Sequence, residues 1–506
     1  MIATKDQATV PGAAVKTLDG YFLPQLEASE LAALDWTSRE VGGVVLRMPV
    51  VTPELVELVA TRLLEAQAAF LAERPVMEIV DVLGRVMSRW YEPDHPGRRL
   101  AEDLLPGITG YAPEMVRRGL KRYLKTFRHD RLLRFLAQDF ENPLVLDSFQ
   151  PARGGGRSRA YGPRLMTQIF AGNVPGLPVW NLICGLFVKS ATLGKSAADE
   201  PLFPVLFAQS IADEDPDLAR CLAILHWPGG DEAVEAAAFA RAEAVTATGG
   251  LRAVESLARR VPAGTPFVSY GHKVSFGVIG HEALALNRYA ETARRAASDV
   301  SQYDQQGCLS AHVLFVERGG AVDPRVFAGA LAAAMERFER DRPRAAIALE
   351  AAAAIEGVRS EYELRAYDES DALALFASAE GDAWTVVYDE TLERFEVSPL
   401  NRVVRVHPVD SIDAVPPLLA PLRRHLQTAG IACAPERASR WASVLGSCGV
   451  DRICAIGQMP EPAAGWHHDG RGNLGALVRW VDLEAAAEAD LERYDPEWTA
   501  PRSRSR

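Results

Sequence analysis

From residue 166 to residue 297 the chain alternates short apolar runs with helical stretches, and glycine or proline stands at most of the switches. The runs at 166–170, 192–195, 221–226 and 244–247, with another inside 266–279, read as strands. The stretches 177–188, 202–211, 231–241, 251–259 and 283–297 read as helices. A helix between successive strands is the usual crossover joining parallel neighbours, which a tight hairpin cannot do. The pattern therefore predicts a mostly parallel, doubly wound sheet covered by helices. Such sheets take nucleotides at the carboxyl ends of their strands.

A second α/β set follows residue 308. Strands are expected at 313–316, 384–388 and 403–409, and helices at 325–339 and 344–355, with alternation continuing through 431–433, 440–441 and 453–456. Residues 52–140 read as helical, with apolar side chains at three-to-four spacing and Pro93, Pro96, Pro106 and Pro113 as punctuation. Residues 1–50 are mixed and suggest no element. The chain thus divides into a mainly helical N-terminal region (1–150), a nucleotide-binding α/β domain (151–298), a second α/β domain carrying Cys308 (299–450), and a C-terminal segment with a disordered basic tail (451–506).

Charge and cysteine usage narrow the function. A net charge of −12 argues against nucleic acid as a partner, because phosphate recognition needs a clustered basic surface. The one basic cluster, Arg502-Ser503-Arg504-Ser505-Arg506, reads as a solvated tail. Six cysteines in 506 residues make no disulfide scaffold, and none forms a Cys-x-x-Cys pair, so no metal site is expected. A reducing cytoplasm fits. Residues 1–20 lack the apolar run of a signal peptide, and the longest apolar-rich run, 177–188, is too short to span a bilayer.

In Asp304-Gln305-Gln306-Gly307-Cys308-Leu309-Ser310 a polar run leads into Gly-Cys and an apolar run follows. Glycine at 307 allows a bend and leaves room for a substrate. A cysteine on such a turn suits a nucleophile, since the thiolate attacks carbon. A single cysteine is more often a small buried hydrophobe, so the heptapeptide alone leaves both readings open.

Several strings together resemble the LuxC-type fatty acyl-CoA reductases of the aldehyde dehydrogenase superfamily. They are Ala171-Gly172-Asn173-Val174-Pro175-Gly176, Lys189-Ser190-Ala191, His226-Trp227-Pro228-Gly229-Gly230-Asp231, Tyr270-Gly271-His272-Lys273-Val274-Ser275-Phe276, residues 299–310, and Trp466-His467-His468-Asp469-Gly470-Arg471. The resemblance runs over residues 75–485. It implies an aldehyde dehydrogenase-like fold: a doubly wound nucleotide-binding domain, a second α/β catalytic domain, and the helical N-terminal region.

The resemblance also assigns roles. Cys308 attacks the substrate carbonyl and holds the acyl group as a thioester. The Asn173 amide forms an oxyanion hole with the backbone N–H of Cys308, where one donor is worth about 3 kcal/mol of barrier; the competing reading is a helix cap. Lys195 matches a lysine that bonds the adenosine ribose, against the alternative of an ordinary solvated lysine. Ala198 stands where many superfamily members carry a glutamate that repels a 2′-phosphate. Its neutrality favours NADPH over NADH, with Ser196 as a phosphate donor, while the neighbouring Asp199 works against this. Thr248-Gly249-Gly250 offers N–H groups at a helix start to a pyrophosphate. Glu396 matches a glutamate that contacts the nicotinamide ribose. His272 serves as an acid, orients the cofactor or is structural, and His312, His467 and His468 are structural.

Members that hydrolyse their acyl-enzyme carry a glutamate where this chain has Val268-Ser269-Tyr270-Gly271-His272-Lys273. With no carboxylate there, the acyl-enzyme waits for hydride. The implied activity is NADPH-dependent reduction of an acyl thioester, a fatty acyl-CoA in the first instance, to an aldehyde. Alternatives are an acyl group held on a carrier or partner protein such as an acyl-transferring synthetase, an NAD(P)-dependent aldehyde dehydrogenase, and a non-catalytic acyl-binding scaffold. Analogy with the superfamily implies a homo-oligomer.

Overall fold

The computed structural model describes residues 16–368 and 371–495; the basic cluster 502–506 lies outside them. Thr17–Asp19 (β1), Trp36–Val41 (β2) and Val44–Pro49 (β3) form a small sheet in the order β1-β3-β2, within the segment where no element was expected. Gly42 and Gly43, at φ 57° and 81°, make the two-residue turn between β2 and β3. Both positions need positive φ, which glycine adopts without strain.

Helices then run over Pro53–Ala66, Val76–Tyr91, Pro96–Thr109, Pro113–Lys125 and His129–Asp139. Three open on proline, whose fixed φ suits a first turn and whose missing N–H costs nothing there. Thr52 caps the first, its hydroxyl accepting from the Leu55 N–H at 3.2 Å. These helices share one hydrophobic core with the sheet that follows.

After the short strands Gln150–Pro151 (β4) and Arg157–Tyr161 (β5), the chain enters a five-stranded parallel sheet. Its strands are Leu165–Ile169 (β6), Ala191–Lys195 (β7), Leu222–Leu225 (β8), Ala244–Thr248 (β9) and Phe267–Tyr270 (β10), in the order β10-β9-β6-β7-β8. β6, β7 and β8 step outward in one direction and β9 and β10 in the other, so the topological switch lies between β6 and β9. All five side chains of β6 are buried, as expected of a strand covered on both faces.

A seven-stranded sheet follows: Val274–Ile279 (β11), Ala311–Glu317 (β12), Leu373–Ala377 (β13), Thr385–Asp389 (β14), Val403–Val409 (β15), Leu426–Ala432 (β16) and Arg452–Ala455 (β17), in the order β13-β14-β15-β12-β11-β16-β17. β12 divides its side chains between two cores, Leu314 and Val316 on one face and Val313 and Phe315 on the other. Finally Arg479–Leu483 (β18) pairs antiparallel with β5.

The stretch 266–279 thus holds two strands in different sheets, joined by Gly271-His272-Lys273. The second sheet therefore begins upstream of residue 298. Pairing partners decide which sheet a strand joins, and they leave no mark in local periodicity. Two further elements differ from expectation: residues 440–441 lie in the helix Pro435–Ser447, and the alanine-rich helix runs over Leu349–Asp368. Among the described residues no helix is long and apolar enough to cross a membrane.

Candidate active site

Cys308 sits on a turn before β12, at the seam between the two sheets. The bend expected at Gly307 falls earlier. Tyr303, Asp304 and Gln305 adopt φ of 51°, 51° and 65°, while a side chain at Gly307 would meet nothing closer than Ser310 Oγ at 3.6 Å. Left-handed backbone costs an L-residue roughly 1–2 kcal/mol, so three in a row need outside support. It comes from a second left-handed run, Leu400, Asn401 and Arg402, at φ 69°, 56° and 67°.

The two runs are laced together. Arg402 donates from Nε and Nη2 to Asp304 Oδ1 at 2.9 and 2.5 Å. Asp304 Oδ2 accepts from the Ala345 N–H at 3.0 Å. Gln305 Nε2 donates to the Ala311 and Val403 carbonyls at 2.7 and 2.9 Å, and its Oε1 accepts from the Val403 N–H at 3.0 Å. Gln306 Nε2 donates to Asn401 Oδ1 at 2.9 Å. The Cys308 carbonyl accepts from Ser275 Oγ at 2.8 Å, and the Thr428 N–H donates to the same hydroxyl at 3.2 Å.

Asn173 reaches this turn from the other sheet. Its Nδ2 donates to the Gln306 carbonyl at 2.8 Å, and its own carbonyl accepts from the Tyr111 hydroxyl at 2.8 Å. One amide N–H fixes the side-chain plane, which leaves the second for another acceptor.

The surroundings keep the thiol neutral. Cys308 is half-buried, yet its sulfur is enclosed enough that burial pushes its pKa up to about 12; the Asp469 charge pushes the same way, against the turn's own N–H, the Gln427 amide and Arg452. Asp469 has φ 52°, and its Oδ1 accepts from Gln427 Nε2 at 2.9 Å. Gln427 Oε1 is buried without a partner among the described residues. Neither residue was singled out from the sequence. Asp469 lies within the string 466–471 that carries the family resemblance, with no role of its own implied there.

His468 packs in an aromatic cluster, its ring centroid 4.4 Å from Tyr270, 4.7 Å from Trp466 and 5.4 Å from Trp180. Burial lowers its pKa to about 4, so it is neutral. Burial likewise lowers His312 to about 3, and His312 Nδ1 accepts from the Ser398 N–H at 3.1 Å. His272 is exposed at the crossing between sheets, with a pKa lowered by partial burial and by His425.

Asn173 and the expected cofactor segments at Lys195 and Thr248 lie at the carboxyl ends of the adjacent strands β6, β7 and β9, around the switch. Asn173 follows β6, Lys195 ends β7, and Thr248 ends β9. Gly172 permits close approach of backbones there, since a Cβ would stand 2.9 Å from Ala197 Cβ and 3.1 Å from the Glu200 nitrogen. Lys195 Nζ lies 5.8 Å over the Trp227 ring, and burial lowers its pKa. Gly249 and Gly250 border open space, and Gly250 starts the helix Leu251–Ala258.

Ser196 does not fit its expected role. It is fully buried, and its hydroxyl donates to the Leu225 carbonyl at 3.3 Å, so it turns into the sheet rather than toward a phosphate. Glu396 forms an ion pair with Arg405 at 2.9 Å. Among the described residues, one cluster has ligand atoms spaced for a metal, His281, Glu282 and Glu317. The Arg437 guanidinium fills it, donating to both carboxylates at 2.8 Å.

Comparison with solved structures bears on the fold. The chain superposes on aldehyde dehydrogenase 21 from Physcomitrella patens with a TM-score of 0.69 at 13% identity, covering 94% of this chain and 99% of that one. For the NADP-dependent glyceraldehyde-3-phosphate dehydrogenase of Bacillus halodurans the TM-score is 0.68 at 15% identity, with 92% and 99% covered. The fold is aldehyde dehydrogenase-like. Sequence relatives include the long-chain acyl-protein thioester reductases of Vibrio harveyi (24% identical; 82% of this chain and 84% of that protein) and Aliivibrio fischeri (26%; 82% and 86%). The family model described as acyl-CoA reductase (LuxC) matches residues 71–480. Because that match runs from the N-terminal helices through both sheets and the cysteine turn into β18, the chain belongs to the LuxC acyl-CoA reductase family.

Proposed function

We propose that the protein reduces a long-chain acyl thioester to the aldehyde through a covalent acyl-Cys308 intermediate, with NADPH as reductant. The observation that carries this reading is the 2.8 Å bond from Asn173 Nδ2 to the carbonyl of Gln306, which sets a side-chain amide from one sheet beside a thiol turn of the other.

Cys308 sulfur attacks the thioester carbonyl. The free N–H of Asn173 and the backbone N–H of Cys308 stabilise the oxyanion, and the donor thiol leaves. Rigid donors are effective here because they need no reorganisation as charge develops. A reduced nicotinamide, when bound, supplies the hydride that turns the Cys308 thioester into a thiohemiacetal. Collapse of that adduct releases the aldehyde and restores the thiol.

The switch-point crevice suits a dinucleotide. Lys195 would hold the adenosine ribose, and the N–H groups at Thr248-Gly249-Gly250 the pyrophosphate. Glu396 would reach the nicotinamide ribose by giving up Arg405. Ala198 presents no negative charge to a 2′-phosphate, which supports NADPH over NADH. All six cysteines are free thiols, in keeping with a reducing cytoplasm.

The names of the relatives favour a second form of the donor, an acyl group carried on a partner protein. Purified protein mixed with acyl-CoAs of graded length and NADPH tests the reading. Nicotinamide oxidation with aldehyde formation, abolished by Cys308→Ala, is expected. Acylation of Cys308 only from a protein-bound donor would select the second form. Neither turnover nor acylation would sink the catalytic reading and favour an acyl-binding scaffold.

A further inference from the structure

We infer that a cavity at the amino end of β8 binds a small zwitterion, a free α-amino acid. It lies at the opposite end of the five-stranded sheet from the crevice near Cys308, whose chemistry plays no part here.

Three segments build the cavity. Phe22 exchanges two backbone hydrogen bonds with Ile224 of β8, at 2.9 and 2.8 Å, in antiparallel sense. The residues after Phe22 therefore head toward the amino end of that edge strand. The helix Pro53–Ala66 runs on into a wider turn, Gln67–Leu71, where the Ala72 N–H reaches back five residues to the Gln67 carbonyl at 2.8 Å. Such π turns are rare and frequently stand at functional sites. Arg220, two residues ahead of β8, closes the far side. The space between them is about 240 Å³, bordered by Gln25, Glu27, Arg62, Glu65 and Arg220 and, on an apolar side, by Phe70 and two alanines. That is below the range of drug-sized pockets and limits the occupant to a small metabolite.

Polar groups stand here without partners. Gln25 is 3% exposed, and neither its Nε2 nor its Oε1 has a partner among the described residues. Buried amides are nearly always bonded. The last torsion of a glutamine is soft, so this amide turns to whatever fills the cavity, offering donors and an acceptor. Arg220 holds its guanidinium 5.2 Å over the Phe70 ring, and its Nε is buried and unpartnered among the described residues. Asp215, five residues earlier, is taken by Arg74 instead.

The charges select the ligand. Arg62 is engaged by Glu30 and Glu65 at 2.6 and 2.9 Å. One cation, Arg220, and one anion, Glu27, are left on the cavity wall without an ion pair among the described residues. A simple carboxylate would suit Arg220 and be repelled by Glu27, and a simple amine would meet the reverse. A carboxylate and an ammonium on one carbon answer both, with the Gln25 amide donating to the first and accepting from the second. Phe70 and the alanines leave room for a short apolar side chain.

The test is calorimetric titration of the full-length protein with each free L-amino acid at millimolar concentration. At least one with a short apolar side chain is expected to bind and to raise the thermal midpoint. Its methyl ester and its N-acetyl derivative each lack one of the two charges and are expected to bind about tenfold more weakly. Arg220→Gln and Glu27→Gln are each expected to weaken binding by a similar factor, and Gln25→Leu to abolish it. Glu27 is exposed, so Glu27→Gln covers the case in which either buried substitution fails to fold. No binding by any amino acid would overturn the inference and leave a cavity that holds water only. An ester or N-acetyl derivative that binds as tightly as its parent would overturn it as well, and so would wild-type affinity in Glu27→Gln.

Discussion

Arg402 and Asp304 are both left-handed and both buried, and two nitrogens of the guanidinium grip a single oxygen of the carboxylate at 2.9 and 2.5 Å. Arg402 also bonds Glu339 and donates to the Arg342 carbonyl at 2.8 Å. The pair clamps the thiol turn against the strand entrance of β15. Removing one partner of such a buried pair strands the other charge, at a cost of about 3–5 kcal/mol. Arg402→Met is expected to lower the thermal midpoint clearly. Asn401→Ala loses the Gln306 anchor and the longer Nδ2 bond to the Pro399 carbonyl at 3.4 Å, each worth about 0.5–1.5 kcal/mol, and is expected to stay folded with slower acyl transfer. Thermal unfolding beside single-turnover acylation distinguishes the two.

Asn173→Ala tests the oxyanion assignment. The variant keeps the thiol and its surroundings but removes a donor aimed at developing charge. Acyl transfer to Cys308 is expected to slow by about 10²–10³-fold, with iodoacetamide alkylation changed little. Equal losses in both reactions would mean that Asn173 only supports the turn.

The parts of the fold that were legible are those governed by local pattern. β6 to β9 are legible within a few residues because they are short, largely apolar and largely buried runs bounded by glycine, proline or polar residues. The β2–β3 hairpin carries a usable signal, Gly42-Gly43 between two valine-containing runs. The split of 266–279 between two sheets carried none. Within the site, Cys308 and Asn173 stood out through motif strings. Gln427 and Asp469 did not, because they come to the thiol from positions more than 100 residues further along the chain. The bend was misplaced to Gly307 because glycine is the usual left-handed residue. Here Asp304 and Gln305 hold that geometry through side-chain bonds to β15 and its approach.

Ser196 and Lys195 give opposite expectations for the cofactor. With its hydroxyl spent on Leu225 inside the sheet, Ser196→Ala is expected to leave the ratio of NADPH to NADH kcat/KM unchanged. Lys195→Met removes a cation from the crevice rim and is expected to raise the KM for NADPH roughly tenfold, the scale of one charged hydrogen bond. Cys308 acylation in the absence of cofactor should be unaffected in both variants. Steady-state kinetics with each nucleotide check this.

His468 predicts a pH dependence of stability. Burial lowers its folded pKa from 6.5 to about 4. Above pH 6.5 the imidazole is neutral in both folded and unfolded chains. As pH falls from 6.5 toward 4, the unfolded chain takes a proton that the folded one refuses, so stability declines. Below 4 the loss levels off. The full span is worth up to about 3 kcal/mol. His312, lowered to about 3, acts with the same sign. Asp299 and Glu200, pushed up to about 7 by burial, act oppositely, because their folded forms take protons first. The wild-type profile therefore mixes signs, and the difference between variant and wild type isolates His468. His468→Phe is expected to lose less stability between pH 6.5 and 4 than wild type does, measured by urea unfolding at each pH. Parallel profiles would mean that His468 is protonated within its aromatic stack.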